Sequence, residues 1–345
     1  MTRSPIAFVT SWIAGALVAP LAMAQQSDGL AILRDLVARA QSAVAAKPPA
    51  FDDELVAAIT TALTASGLAD RREPEVLDLV AALAELAVST GRAEPAVGWL
   101  RPFDESMAAI AEPALRHRLA PSLGLALRVG KQVEAARARL QLACDELAAR
   151  VPATDPLLHA VRRQLAAVLA ALVRWQECLP LALAVVEFDR TTKVGAPQLV
   201  DDLRRVGRTY HALGRRQEAY DTAVATLQLA RSEWPPDDAR VLAAMADLAA
   251  ASGQLGDYRG AYEIYRELIA THEKAAVPDL HEILHLKQQM SQVLVQLDNL
   301  EEACVLQEEV LVALAALTDR DESMYALGLL YYARNLFLLK QLDES

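Results

Sequence analysis

The residues best suited to chemistry are His281, Glu282 and His285, which match the H-E-x-x-H pattern. On a helix the two histidines stand one turn apart and can hold zinc, with the glutamate as general base. A catalytic zinc also needs a third protein ligand and a cleft beside it. The nearest acidic candidates, Glu301 and Glu302, fall on a predicted turn between two helices. We therefore expect no catalytic residues and no metal or other cofactor, and keep a zinc metallopeptidase as an alternative function.

No other catalytic pattern stands out in the sequence. It has no Gly-rich phosphate loop and no G-x-S-x-G elbow. Its three cysteines, Cys144, Cys178 and Cys304, are too far apart for a paired zinc or disulfide pattern, so we expect them to be buried. The formal net charge is −11, without the basic run that nucleic-acid binding requires. These features exclude nucleic acid as a partner and favour a protein that is not an enzyme.

The elements that carry these residues form a repeat of about 42 residues. One column, called here the anchor, holds a small residue in every copy, at spacings of 39, 43, 41, 42, 42 and 42. Its members are Ala96, Ala135, Cys178, Ala219, Ala261, Ala303 and Ser345. Hydrophobic residues make up 53% of the chain but aromatic residues only 5%, and most of the apolar content is Ala and Leu. Because these are strong helix formers, the composition predicts an all-α fold.

Two further columns keep step with the anchor. In the first of them, a small residue recurs twelve positions before the anchor, which predicts that two antiparallel helices approach each other closely. The members of this column are Ala84, Ala166, Gly207, Ala249, Ser291 and Ala333. Five residues before the anchor a glycine recurs, where the first helix ends in the left-handed conformation. Its members are Gly91, Gly130, Gly214 and Gly256. Each repeat is thus predicted to be a helix, a tight turn and a second helix, which stacking with its neighbours stabilises.

These columns resemble the tetratricopeptide repeat, whose Leu-Gly, Tyr and Ala positions match Val206-Gly207, Tyr210 and Ala219. The period is similar to that of the longer repeats in kinesin light chains. The resemblance covers roughly residues 74–345 and implies an α-solenoid of stacked antiparallel helix pairs that forms a right-handed superhelix. HEAT-type helical repeats share this range of periods and are the alternative fold.

The sequence predicts seven first helices and six second helices, with an N-terminal pair before them. The first helices are predicted at 76–89, 113–128, 155–172, 197–212, 237–253, 279–296 and 322–341. The second helices are predicted at 93–110, 131–150, 175–191, 215–232, 257–275 and 299–317. The N-terminal pair, 28–46 and 52–66, lacks the columns, so we interpret residues 25–72 as a helical cap and 73–345 as the repeat domain.

The first 24 residues have the order of an export signal. A charged start at Arg3 precedes an apolar stretch from Ile6 to Leu21, and Ala22-Met23-Ala24 forms a small-x-small cleavage site. The apolar stretch is broken by Pro20 and falls short of the roughly 20 residues that a spanning helix needs. We predict cleavage after Ala24 and a periplasmic or secreted protein that does not span a membrane.

The last predicted helix, 322–341, is apolar nearly all round, although a helix that closes a solenoid needs a polar outer face. Three interpretations follow. The chain is a segment of a longer protein whose last repeat is incomplete here, the helix packs on a partner, or it folds back on the repeats. Self-association through residues 322–341 is therefore an alternative structural role.

By the same resemblance, the first helices line a concave groove through positions about 18, 15, 11 and 8 before the anchor. The residues predicted to bind there are Arg163, Arg204, Arg208, His211, His285, Gln288, Gln292 and Arg334. Arginine suits carboxylates and glutamine can bond a peptide backbone. This predicts a scaffold that binds a protein or an extended peptide with acidic residues or a free C-terminus. The alternative is that the arginines are solvated or pair with Asp201 and Asp202.

Overall fold

The computed structural model describes residues 29–46, 51–65, 72–275, 278–318 and 321–343. The predicted signal segment, residues 1–24, lies outside these ranges. The described residues form helices and no strand, which confirms the all-α prediction. None of these helices combines the length and the apolarity required to cross a membrane.

The chain divides into two compact units, Met1–Leu181 and Ala182–Ser345. The helices of the first unit are α1 (Gly29–Ala45), α2 (Asp53–Ala65), α3 (Pro74–Ser89), α4 (Ala93–Met107), α5 (Pro113–Arg116), α6 (Ala120–Val129), α7 (Val133–Ala148) and α8 (Pro156–Ala171). The next helix, α9 (Trp175–Thr192), contains the boundary. The helices of the second unit are α10 (Ala196–Ala212), α11 (Arg216–Glu233), α12 (Ala239–Leu255), α13 (Tyr258–Glu273), α14 (Leu280–Gln296), α15 (Leu300–Ala316) and α16 (Glu322–Asp343).

Within each unit, most helices that follow one another in sequence pack together, and alternate helices also touch, as α3 and α6 do in the first unit and α10 and α12 in the second. This is the packing of helical repeats in which each pair contacts only its neighbours. With one exception, the predicted helices are present, and their ends lie within three residues of the predicted ones.

Aspartate and asparagine side chains begin several of these helices. Asp155 accepts a hydrogen bond from the Leu158 backbone N–H at the start of α8, over 2.9 Å. Asp238, Asp257, Asp279 and Asn299 act in the same way at the starts of α12 to α15. Each cap satisfies a backbone donor that the helix leaves without an acceptor and stabilises it by about 1 kcal/mol.

The small-residue columns meet at the centre of each helix pair, as predicted. In the pair α8–α9, the Cys178 Sγ lies 3.3 Å from the carbonyl oxygen of Ala166, and both residues are buried. In the pair α14–α15, the Ser291 hydroxyl donates to the carbonyl of Ala303 over 3.0 Å. Side chains this small let one helix reach the backbone of the other. Cys144, Cys178 and Cys304 are buried and form no disulfide with one another, as the sequence predicts.

The second repeat corrects the predicted alignment by one residue. Ala135, the predicted anchor, is exposed, whereas Ala136 is fully buried. The left-handed residue is Lys131 at φ 63°, and Gly130 has φ −72°. The small residue twelve before the true anchor is Gly124, whose position would place an added Cβ 2.6 Å from Leu140 Cδ1. With Ala136 as anchor, the small column is complete in all seven repeats.

The predicted helix 113–128 is the exception, because it is broken into α5 and α6. Pro121 stands in the first turn of α6, where a missing N–H costs nothing, and a turn at residues 117–119 precedes it. His117 in this turn is buried, with Nε2 3.0 Å from a Glu146 carboxylate oxygen and Nδ1 2.9 Å from Arg139 Nη1. Burial lowers the pKa of His117, against the opposing effect of Glu146. Its polar contacts hold α5 and α6 against α7.

The turn inside each repeat generates a stability prediction. Gly91, Gly214 and Gly256 take positive φ at the same repeat position, where Val173 takes φ 61°. Because a β-branched side chain is strained in that conformation, we expect Val173→Gly to raise the free energy of unfolding by about 1 kcal/mol. Urea denaturation measures the change. Gly256→Val at the equivalent turn is the matched control and lowers the stability; a Val173→Gly protein less stable than the parent contradicts the account.

Candidate functional site: a hollow lined by first helices of the second unit

The candidate site lies in the second unit, where α10, α12 and α14 lie side by side. Two adjoining hollows, of about 130 Å³ and 370 Å³, share His211 and Ala250 in their walls. The smaller one is floored by residues with little or no side chain, namely Gly207, Ala219, Ala223, Ala250 and Ala251. Such a floor leaves room for another chain to approach the helices, as expected for a binding site.

Two arginines in the smaller hollow share one carboxylate. Arg204 Nε lies 2.6 Å from one oxygen of Asp247, and Arg208 Nε lies 2.9 Å from the other. Arg204 and Asp247 are each 18% exposed, whereas Arg208 is 59% exposed. Asp247 lies on α12, so it connects two neighbouring repeats. It cancels one of the two positive charges, and Arg208 presents the remaining one to solvent.

Burial also shifts the pKa values of His211, which lines both hollows, and of Tyr265, which lines the larger one. Burial lowers the pKa of His211, although the negative charge of Asp247 opposes the shift. Burial raises the pKa of Tyr265 to about 12, and Asp247 adds to the effect. At neutral pH, His211 therefore carries no charge and Tyr265 keeps its phenolic proton. The hollow is positive through its arginines alone and is less basic than their number suggests.

The larger hollow is lined by amide side chains, including Gln254, Gln289, Gln292 and Gln296. Gln254 Nε2 donates to the carbonyl of His211 over 3.4 Å, and Gln292 Oε1 accepts from Arg334 Nη2 over 2.5 Å. The opposite atoms, Gln254 Oε1 and Gln292 Nε2, are buried without a hydrogen-bond partner among the described residues. The wall thus holds one acceptor and one donor whose bonding capacity is unused.

The structure brings together five of the eight predicted groove residues. Arg204, Arg208 and His211 line the smaller hollow, His211 and Gln292 line the larger one, and Arg334 bonds to Gln292.

The other three predicted residues lie elsewhere. Gln288 is buried and donates to the carbonyl of Met324 over 3.4 Å, so it belongs to the contact between α14 and α16. His285 is exposed on α14 outside both hollows. Arg163 is on α8 in the first unit.

The sequence offers Asp201 and Asp202 as alternative partners of the arginines, whereas the structure pairs Arg204 and Arg208 with Asp247. Asp202 is buried and lies 3.8 Å from Arg205 Nη2, while Arg204 and Arg208 bond to Asp247. Sequence reasoning missed Asp247 because it stands 14 residues before its anchor, a position that the groove pattern omits. Asp247 follows Arg204 by 43 residues, about one repeat, so a search for opposite charges one repeat apart would have found the pair.

The H-E-x-x-H residues lie on α14, where Glu282 occupies the first turn and its backbone N–H is capped by Asp279. Within the described ranges, no three histidine, cysteine, aspartate or glutamate side chains are grouped so that they could hold a metal ion.

Comparisons with known proteins place the fold. No protein-family model matches the chain, and no curated protein matches it. A crystal structure of nearly identical TPR-like repeats from Podosopora anserina, of the kinesin light chain kind, is 22% identical, covers 59% of this chain and 98% of that chain, and has a TM-score of 0.51.

Two further solved structures cover more of the chain. The Pyrococcus horikoshii signal-transduction ATPase with a tetratricopeptide repeat sensor is 17% identical over 83% of this chain and 40% of that chain, with a TM-score of 0.59. A Rap protein complexed with Competence and Sporulation Factor is 12% identical over 90% of this chain and 86% of that chain, with a TM-score of 0.55. The chain therefore has the all-α fold of TPR-like helical repeats, as its sequence columns predict.

The shared carboxylate generates a prediction. Asp247→Ala leaves Arg204, a largely buried cation, without its partner, so we expect the free energy of unfolding to fall by about 1–3 kcal/mol. Urea denaturation measures it. Asp201→Ala, which removes the partner suggested by the sequence, is the control and changes stability by less than about 0.5 kcal/mol. Equal losses in both variants contradict the assignment of Asp247 as the partner.

Proposed function

We propose that this chain is an exported, non-catalytic scaffold that binds an extended peptide, or an extended segment of a protein, in the joined hollows of the second unit. The observation that carries the proposal is the joining of the two hollows through His211 and Ala250, with a charged wall in one and amide groups in the other. A small-residue floor beside a few convergent polar groups is the usual form of a binding site.

The charge of the smaller hollow favours a carboxylate in the ligand. Asp247 holds Arg204 and Arg208 by their Nε atoms, which keeps both guanidinium groups on this wall. Because Arg208 is the more exposed of the two, it is the residue that meets the ligand. Arginine binds carboxylates through charge-assisted hydrogen bonds, so an acidic side chain or a free C-terminus is the group we expect there.

The larger hollow suits the main chain of the same ligand. Peptide N–H and C=O groups lose their hydrogen bonds to water when they enter a site, and they need new hydrogen-bond partners inside it. Gln254 and Gln292 have an unused acceptor and an unused donor in this wall. Small side-chain rotations would turn this acceptor and this donor toward a bound main chain.

The structural neighbours support a role in binding. The Rap protein was solved in a complex, and the Pyrococcus horikoshii ATPase uses its repeats as a sensor. These two neighbours favour a protein or peptide partner here also.

Export is proposed from residues 1–24 alone, and it has its own test. The intact mass of the protein recovered from its native cell should correspond to a chain that begins at Gln25. A protein that keeps Met1 or begins elsewhere contradicts cleavage after Ala24.

Peptide selection tests the binding site. We expect a random library of nine-residue peptides with free C-termini, captured on the purified protein, to become enriched in acidic sequences. Arg208→Glu should weaken the binding of an enriched peptide by about tenfold or more, since a charge-assisted bond becomes a repulsion. Fluorescence anisotropy with the labelled peptide measures the affinity.

Arg266→Glu is the matched control. Arg266 is 65% exposed and pairs with Glu263 on α13, so the change in charge is the same but lies outside the hollow. We expect it to leave the affinity within about twofold. Equal weakening by both substitutions, or no enrichment of acidic peptides, contradicts the proposed site.

A further inference from the structure

One side of α16 is exposed to solvent, although the corresponding side of α10 and α14 packs against a second helix. In the earlier pairs of the second unit, the small residue twelve before the anchor contacts the second helix: Gly207 faces Thr222, and Ser291 bonds to the backbone of Ala303. Ala333 is the equivalent residue of α16 and is exposed. Among the described residues, the side of α16 that corresponds to this helix contact is therefore exposed.

The exposed side of α16 carries a regular stripe. Its residues are separated alternately by four and three positions, the spacing that keeps side chains on one line along a helix. From first to last they are Glu322, Ala326, Leu329, Ala333, Leu336 and Lys340, and all six are exposed. Leu329 and Leu336 are 47% and 43% exposed. Beside the stripe, Leu330 and Phe337 are also exposed, so apolar surface of this extent is typical of an interaction site.

The order of residues along this stripe is complementary to itself when it is reversed. If two copies of α16 run antiparallel with Glu322 opposite Lys340, then Ala326 faces Leu336 and Leu329 faces Ala333. Each leucine meets an alanine, as interlocking helix packing requires. An acidic residue meets a basic one at both ends. A parallel arrangement sets leucine against leucine, alanine against alanine, and like charges together at each end.

We propose that α16 pairs with α16 of a second copy of this chain, antiparallel and in that register, to form a two-fold symmetric dimer. The same patch serves on both copies, which is the form of most soluble homodimers. The stripe is about 27 Å long, so the interface is small and the dimer is weak, with a dissociation constant in the micromolar range of about 1–100 µM. This dimer uses a different side of the second unit from the peptide hollow and does not depend on it.

Sedimentation equilibrium of the purified protein between about 1 and 200 µM tests the dimer. We expect mass to rise with concentration toward twice that of the chain. Leu329→Glu/Leu336→Glu, which changes exposed residues and leaves the fold intact, should raise the dissociation constant more than about 100-fold. Leu142→Glu/Leu183→Glu is the matched control, since these leucines are 52% and 40% exposed on α7 and α9, and it should leave the dimer unchanged.

Charge reversal tests the register. Glu322→Lys sets two lysines opposite each other at both ends and should weaken the dimer about fivefold. Adding Lys340→Glu restores opposite charges and should recover the parent affinity within about twofold. The proposal is overturned by a protein that stays monomeric over this range, by a dimer that survives Leu329→Glu/Leu336→Glu, or by a double charge reversal as weak as the single one.

Discussion

The close contact between the two helices of each repeat is the interaction on which the rest of the structure depends. A small residue on the first helix meets a small anchor on the second, near enough for the Cys178 Sγ to contact the carbonyl of Ala166 and for the Ser291 hydroxyl to bond to that of Ala303. A larger side chain at either position would force the helices apart, because protein interiors are close-packed. The left-handed turn five residues before the anchor follows from this spacing, since it reverses the chain at the end of the first helix.

This contact also determines where the protein can bind other molecules. Each helix pair uses its shared side for packing, so the free sides of the first helices line most of the two hollows in the second unit, and residues of α11 and α13 complete their walls. The ion pairs of Asp247 with Arg204 and Arg208 cross from α12 to α10, so they both join neighbouring repeats and set the charge of that surface. Stability and recognition therefore use the same carboxylate. Substitutions there require a stability measurement before a loss of binding is interpreted.

The fold was predictable from the sequence because its determinants are local and repeated. Ala219, Ala261 and Ala303 mark the anchor at a constant spacing, and the short turns restrict consecutive helices to an antiparallel arrangement. The alignment failed in one repeat because Gly130 mimics the turn glycine, while the left-handed residue is Lys131. Parts of the site escaped prediction for a different reason. Asp247 acquires its role from a partner in the adjacent repeat, and the burial of Gln288 depends on how α16 packs, neither of which a single repeat encodes.

Hydrogen–deuterium exchange of the protein with and without a selected acidic peptide tests most directly the central claim that the first helices of the second unit bind the ligand. The account predicts slower exchange in α10, α12 and α14, which supply most of the residues that line the hollows, and unchanged exchange in α15, which supplies none of them. Protection confined to the second helices, or to α16, would contradict it and place the binding surface elsewhere.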